Sequence, residues 1–150
     1  MTPSPDLAGL LERVKQARGP SRLIDAEIVA ALDLRPDYMP ADYGPMVAVK
    51  DVYGTYVKTL DHPAEYAEFP QFSRSIDAAV DLIEKQLPGI AYRIQKNLDG
   101  LIWAELQRRN QEPTVEPFDI WVESGNRPSL PLALLAALLK AELARAECGA

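Results

Sequence analysis

The stretch RPSLPLALLAALLKAEL, residues 127 to 143, constrains this chain more than any other, because Pro128 to Leu139 run for twelve residues without a charge. At helical spacing Leu132, Leu135, Ala136 and Leu139 fall on one side and Leu134 and Leu138 on another. A helix apolar nearly all round has to be covered on two sides. A membrane does not provide the cover, since twelve residues fall short of the roughly 20 that cross a hydrocarbon core. The cover is protein: another helix of this chain, or a second copy of it.

The 150 residues are 47% hydrophobic and 25% charged, enough for one globular domain that buries about two thirds of its unfolded surface. A formal net charge of -6 opposes broad attraction to nucleic acid or anionic membranes. Cys148 is the sole cysteine, which leaves no disulfide framework and no cysteine-based metal site. The opening MTPSPDLAGLLERV lacks the basic start and apolar run of a signal peptide, so a cytoplasmic location is expected.

Along the chain, Ser4 and Pro5 resemble a helix start, and Leu7, Leu10, Leu11 and Val14 recur at helical spacing up to Gly19-Pro20. Ser21 can cap a second helix carrying Ile24, Ile28 and Leu32. Residues 36–72 hold five of the 13 prolines and five of the six tyrosines and read as loop-rich, although 46–60 can form a hairpin around Tyr53-Gly54. Ser73 or Ser75 caps a third helix with the stripe Ile76, Ala79, Val80, Ile83, Leu87, closed by Pro88-Gly89. IAYRIQKN and LIWAELQ flank Asp99-Gly100, a strong hairpin signal, and FDIWVES supplies a third strand.

The expected fold is α+β: a three-stranded antiparallel sheet with helices on both faces, an α-β-α sandwich. A single domain spans 1–150, with an N-terminal helix pair over 1–35, the loop-rich segment over 36–72, and a helix–three strands–helix core over 73–146. One sheet face collects Ile90, Tyr92, Ile94, Ile102, Ala104, Leu106, Phe118, Ile120 and Val122. The other is mixed, with Arg93, Gln95, Trp103, Glu105, Asp119, Trp121 and Glu123. The first two helices are the expected cover for its tryptophans.

LLERVKQARGPSRLIDAEIVAAL, FSRSIDAAVDLIEKQLPG, WAEL and RPSLPLALLAALLKAELARA together resemble small bacteriophage and prophage proteins with the phage ABA sandwich domain. The resemblance covers residues 7–35 and 72–146. Two departures stand out: Leu130 replaces the usual threonine cap of the last helix, leaving Ser129 to take over, and residues 36–71 are longer than the usual connection. It implies phage origin and fold, and carries no catalytic residues.

His62, beside Asp61 and Glu65, reads as a solvated loop histidine more readily than as a metal ligand or general base. Asp77 and Asp81 share a polar helix face, and no phosphate loop or nucleophile motif is present. No enzyme activity, cofactor or metal is expected. Arg93, Trp103 and Trp121 on the mixed face offer stacking and charge-assisted bonds, the parts of a nucleotide-like pocket. The alternative is that both tryptophans are core. Tyr53 and Tyr56, from a segment that also holds Tyr38, Tyr43 and Tyr66, join the candidate ligand-binding set together with Arg74 and Arg127. Helix–three strands–helix is also the order of double-stranded RNA binding domains, but the last helix starts with one arginine and no lysine cluster. The compact basic spot Arg108-Arg109 reads as solvated charge.

These features point to a non-catalytic phage accessory protein in the host cytoplasm, a homo-oligomer that binds and sequesters a small host-derived, nucleotide-like ligand in counter-defence. The alternative is a protein inhibitor or adaptor that docks on a host protein through residues 36–72.

Overall fold

A computed structural model describes residues 6–36, 41–60, 66–109 and 117–148. The elements run α1 (Leu7–Gln16), α2 (Arg22–Ala31), β1 (Met46–Asp51), β2 (Gly54–Thr59), β3 (Tyr66–Ala67), α3 (Ile76–Gln86), β4 (Ala91–Lys96), β5 (Ile102–Arg109), β6 (Phe118–Glu123) and α4 (Leu130–Cys148). The fold is α+β with two antiparallel sheets, β1-β2-β3 (sheet A) and β4-β5-β6 (sheet B). The hairpin over 46–60 forms, and its tip is Val52-Tyr53, one residue earlier than the expected Tyr53-Gly54.

Helix α4 is the centre of the molecule. Every residue from Leu132 to Leu139 has 0% exposure within the single chain. Strands β5 and β6 cover one side, and α1 and α3 cover the others. Helix α2 packs beside α1 and onto β1 and β2, so sheet A closes the far side. The leucines of the last helix are satisfied by this chain alone, which removes the physical motive for burying them against a second copy.

The arrangement differs from the expected sandwich in one respect. Helices α1 and α2 take their places against α4 and sheet A, and pack no more than marginally on β4, β5 or β6. Among the described residues sheet B carries a helix, α4, on one face only. The register keeps most of the expected apolar face together, since Tyr92 pairs with Leu106, which pairs with Val122, and Ile94 pairs with Ala104. Phe118 is the exception, because a register shift pairs it with Arg109 and turns it to the outer face against Trp121, and Tyr92 and Ile94 stay exposed. Ala104, Leu106 and Ile120 are buried under α4.

Local signals account for the helix ends. Asp6, rather than Ser4, caps α1 by accepting the Gly9 N–H at 2.9 Å; Ser4 and Pro5 lie outside the described residues. Ser21 caps α2 and Ser75 caps α3. Ser129 takes over at α4, accepting the Leu132 N–H at 3.4 Å. On α3, Leu82 joins the buried stripe while Ile76 remains 47% exposed.

A buried polar clasp joins the start of α2 to the segment before α3. The Asp25 carboxylate, 1% exposed, accepts the Ser73 N–H at 2.7 Å and Arg22 Nη1 at 3.0 Å. Ser73 Oγ accepts the Ser21 N–H at 2.8 Å and donates to the Ser21 carbonyl at 3.1 Å. Arg22 also donates to the Phe69 and Pro70 carbonyls and lies 4.0 Å over the Phe69 ring. Removing the carboxylate leaves a buried N–H without an acceptor. Asp25→Ala should therefore cost about 2 kcal/mol, read as a lower urea midpoint at unchanged slope, and Asp25→Asn should cost less.

Candidate functional site

The outer face of sheet B carries the residues singled out from sequence. Arg93 on β4, Trp103 on β5 and Trp121 on β6 all belong to it, because Arg93 pairs with Glu105 and Gln107 pairs with Trp121. The Arg93 guanidinium lies 5.8 Å from the centroid of the Trp103 ring. Trp121 is 57% exposed and meets Phe118 edge-on at 4.9 Å. All six residues of β4 are exposed. The tryptophans are therefore not core beneath α1 and α2, nor do they form one pocket. Trp103 stands four residues before Gln107, the partner of Trp121, which separates the indoles by roughly 13 Å at about 3.3 Å per residue. Between them lie Glu105 and Glu123, paired across β5 and β6. Glu105 is 4% exposed and bonded by the Gln107 side chain.

The remaining predicted residues are dispersed. Tyr53 sits at the tip of the β1–β2 hairpin with Val52, both more than nine-tenths exposed. Tyr56 donates its hydroxyl to Asp51 at 2.7 Å, and this bond, with the Tyr53 N–H, holds the Asp51 carboxyl below its usual range. Arg74 is exposed ahead of α3, beside the clasp. Arg127 is structural: it donates to the Lys15 carbonyl at 3.0 Å, closing the end of α1, and to the Ser124 carbonyl at 3.0 Å. Gly125 makes room for it, with φ +70 and the guanidinium 3.0 Å from where a Cβ would stand. Lys140 lies near this cation and Lys15; burial first, then these two charges, lowers its pKa. Tyr38 and His62 lie outside the described residues, and of Tyr66 the backbone alone is described.

Sequence reasoning missed a cleft of about 630 Å3 where α2, α3 and α4 end. Arg108 and Asp119 stand in its wall, joined by three bonds of 2.7 to 3.1 Å, with Arg108 also on the Pro88 carbonyl at 3.2 Å. Arg108 is thus a half-buried ion-pair partner, not the solvated charge expected. A register shift at Arg108/Arg109 creates the pair: Asp119 is the extra residue of the bulge, re-aimed towards the helix side. Alternation alone would have put it on the outer face. Opposite them Glu142 lies 3.4 Å from Arg145. Leu7, Leu32 and Ile120 form the apolar wall. A second cleft, of about 530 Å3, lies between α1, α2 and β1. Neither cleft is lined by Arg93, Trp103 or Trp121. Among the described residues no cluster of three histidine, cysteine or carboxylate side chains is placed to hold a metal, and no helix is long and apolar enough to cross a membrane.

The chain matches no family model, no curated protein and no solved structure.

The two carboxylates of the 630 Å3 cleft respond to acid in opposite directions. The Arg108 hydrogen bonds hold the Asp119 carboxyl below the ordinary 3.8, against the pull of burial. Its stabilisation is complete above about pH 4 and drains away as pH falls through the lowered value. Burial raises Glu142 above the ordinary 4.5, partly offset by Arg145, so its ionised form is penalised at neutral pH and relieved on acidification. Asp119→Asn should flatten the acid limb of the urea midpoint below pH 4. Glu142→Gln should raise the midpoint at pH 7 and leave it unchanged at pH 4.

Proposed function

We propose that this is a non-catalytic binding protein, a phage accessory protein that works in the host cytoplasm by docking on another protein. The observation that carries the reading is the uncovered outer face of sheet B, where Trp121 is 57% exposed and Arg93 stands over Trp103. Tryptophan, arginine and tyrosine are the side chains most enriched at the energetic centres of protein interfaces. Arg93, Trp103 and Trp121 line neither described cleft, whereas small-ligand sites are concave. Its exposed carboxylate, Glu123, suits a protein partner better than a polyphosphate. The exposed Val52-Tyr53 tip supports docking through residues 36–72 as an added contact. The resemblance to phage sandwich-domain proteins rests on the motifs quoted above, and the host setting follows from that resemblance.

A photo-crosslinking amino acid at position 121 should trap a discrete host protein, and Arg93→Ala in the same chain should abolish the adduct while the melting temperature moves by no more than about 2 °C. The same adduct from a crosslinker at Asp81, on exposed α3, would overturn the reading. Light scattering distinguishes a partner from self-association: a dimer lost in Trp121→Ala would make the partner a second copy, the homo-oligomer expected from sequence.

The second reading, a nucleotide-like ligand sequestered in counter-defence, is favoured by the Arg93–Trp103 pair alone. A ligand present at a hundred times its dissociation constant adds about 2.7 kcal/mol. A nucleotide panel in thermal shift should then raise the melting temperature of the native chain but not of Trp103→Ala, and a flat panel removes this reading.

A further inference from the structure

The cleft of about 630 Å3 at the ends of α2, α3 and α4 falls in the roughly 300–1,000 Å3 range of small-molecule sites, and its two ion pairs are unequally satisfied. Arg108 and Asp119 close on each other through three bonds of 2.7 to 3.1 Å, and Arg108 donates once more to the Pro88 carbonyl. Glu142 and Arg145 do not close. They stand one turn apart on α4 and meet at 3.4 Å, and Arg145 reaches the Gln86 carbonyl at another 3.4 Å. A hydrogen bond between two such ions is normally about 2.7–2.9 Å long.

The Glu142 side chain is 16% exposed and that of Arg145 47%. The carboxylate has therefore left most of its water for a loose contact, and burial raises its carboxyl above the ordinary 4.5. Leu7 from α1, Leu32 beyond α2 and Ile120 from β6 make the wall of the cleft apolar. The four side-chain charges of the cleft, two of each sign, cancel, so a ligand with a net charge gains no overall attraction from them. A ligand that carries both signs at one end and an apolar group at the other matches the open pair and the wall together.

We propose that this cleft binds a free α-amino acid with a large apolar side chain. Its ammonium group takes the place of the long Arg145 contact on Glu142, its carboxylate takes the Arg145 guanidinium, and its side chain covers Leu7, Leu32 and Ile120. Both members of the 3.4 Å pair thereby exchange a loose partner for a close one. A ligand lacking either charged group separates the pair and leaves one ion of it without a counter-charge, which is the source of selectivity. The site is separate from the outer face of sheet B and does not rest on the docking proposed there.

The test uses the full chain at pH 7 with L-phenylalanine and L-leucine as probes, read by isothermal titration calorimetry and by the methyl NMR signals of Leu7, Leu32 and Ile120. At least one probe should bind and shift those methyls. Three analogues each drop one feature of phenylalanine: 2-phenylethylamine lacks the carboxylate, 3-phenylpropanoate the ammonium and glycine the side chain. Each should bind at least tenfold more weakly. Glu142→Gln relieves a buried charge and so keeps its fold at pH 7, and Arg145→Gln changes a half-exposed side chain; each should weaken binding at least tenfold. The proposal is overturned by no binding of either probe at millimolar concentration or by an analogue that binds as well as phenylalanine. Binding that survives both variants, or that leaves the three methyls unmoved, overturns it equally.

Discussion

Burial of α4 on all sides is the constraint on which the rest of the structure depends. Eight consecutive residues from Leu132 to Leu139 have no exposure at all, so two turns of helix need a protein neighbour in every direction. Sheet B can cover one side only. The chain meets the demand by bringing α1 and α3 to the others, and α1 brings α2 beside it. Burying a leucine side chain contributes on the order of 2 kcal/mol, which favours bringing α1 against α4. Helix α1 is drawn to α4 and α2 to sheet A, and the tryptophan face of sheet B is left bare.

The second constraint is polar. Ser21, Arg22 and Asp25 grip Phe69, Pro70 and Ser73 through hydrogen bonds that bury a carboxylate. These residues lie in or beside the stretches GPSRLIDAE and FSRS. Their role here is structural. One serine caps α2 while its backbone engages Ser73, and another, Ser75, caps α3. A buried carboxylate is tolerable only with such partners, so substitutions at one motif are felt at the other.

Function, on this architecture, belongs to groups that the fold leaves under-used. The 630 Å3 cleft holds one closed ion pair, with Arg108 locked on Asp119, and one open pair, Glu142 with Arg145. The outer face of sheet B holds groups whose hydrogen-bonding or stacking capacity is turned outwards. Arg127 shows how composition misleads: a cation ahead of an apolar helix resembles an anion site, yet its bonds go to the backbone carbonyls of Lys15 and Ser124.

The sequence by itself determined the elements and their apolar sides. Caps at Ser21, Ser75 and Ser129, the Asp99-Gly100 turn and the alternation along β4, β5 and β6 are signals of a few residues' range, and they specify local conformation wherever the segment ends up. The set Arg93, Trp103 and Trp121 was legible as one sheet face for the same reason. Only the tertiary structure decided which apolar side meets which. Hydrophobic attraction is non-directional, so the stripes of α1 and α2 suit α4, sheet A or the tryptophan face equally well in sequence terms. The bulge that sends Asp119 to Arg108, the roughly 13 Å at about 3.3 Å per residue between the indoles, and the cleft where α2, α3 and α4 end arise from register and packing, which no short window of residues contains.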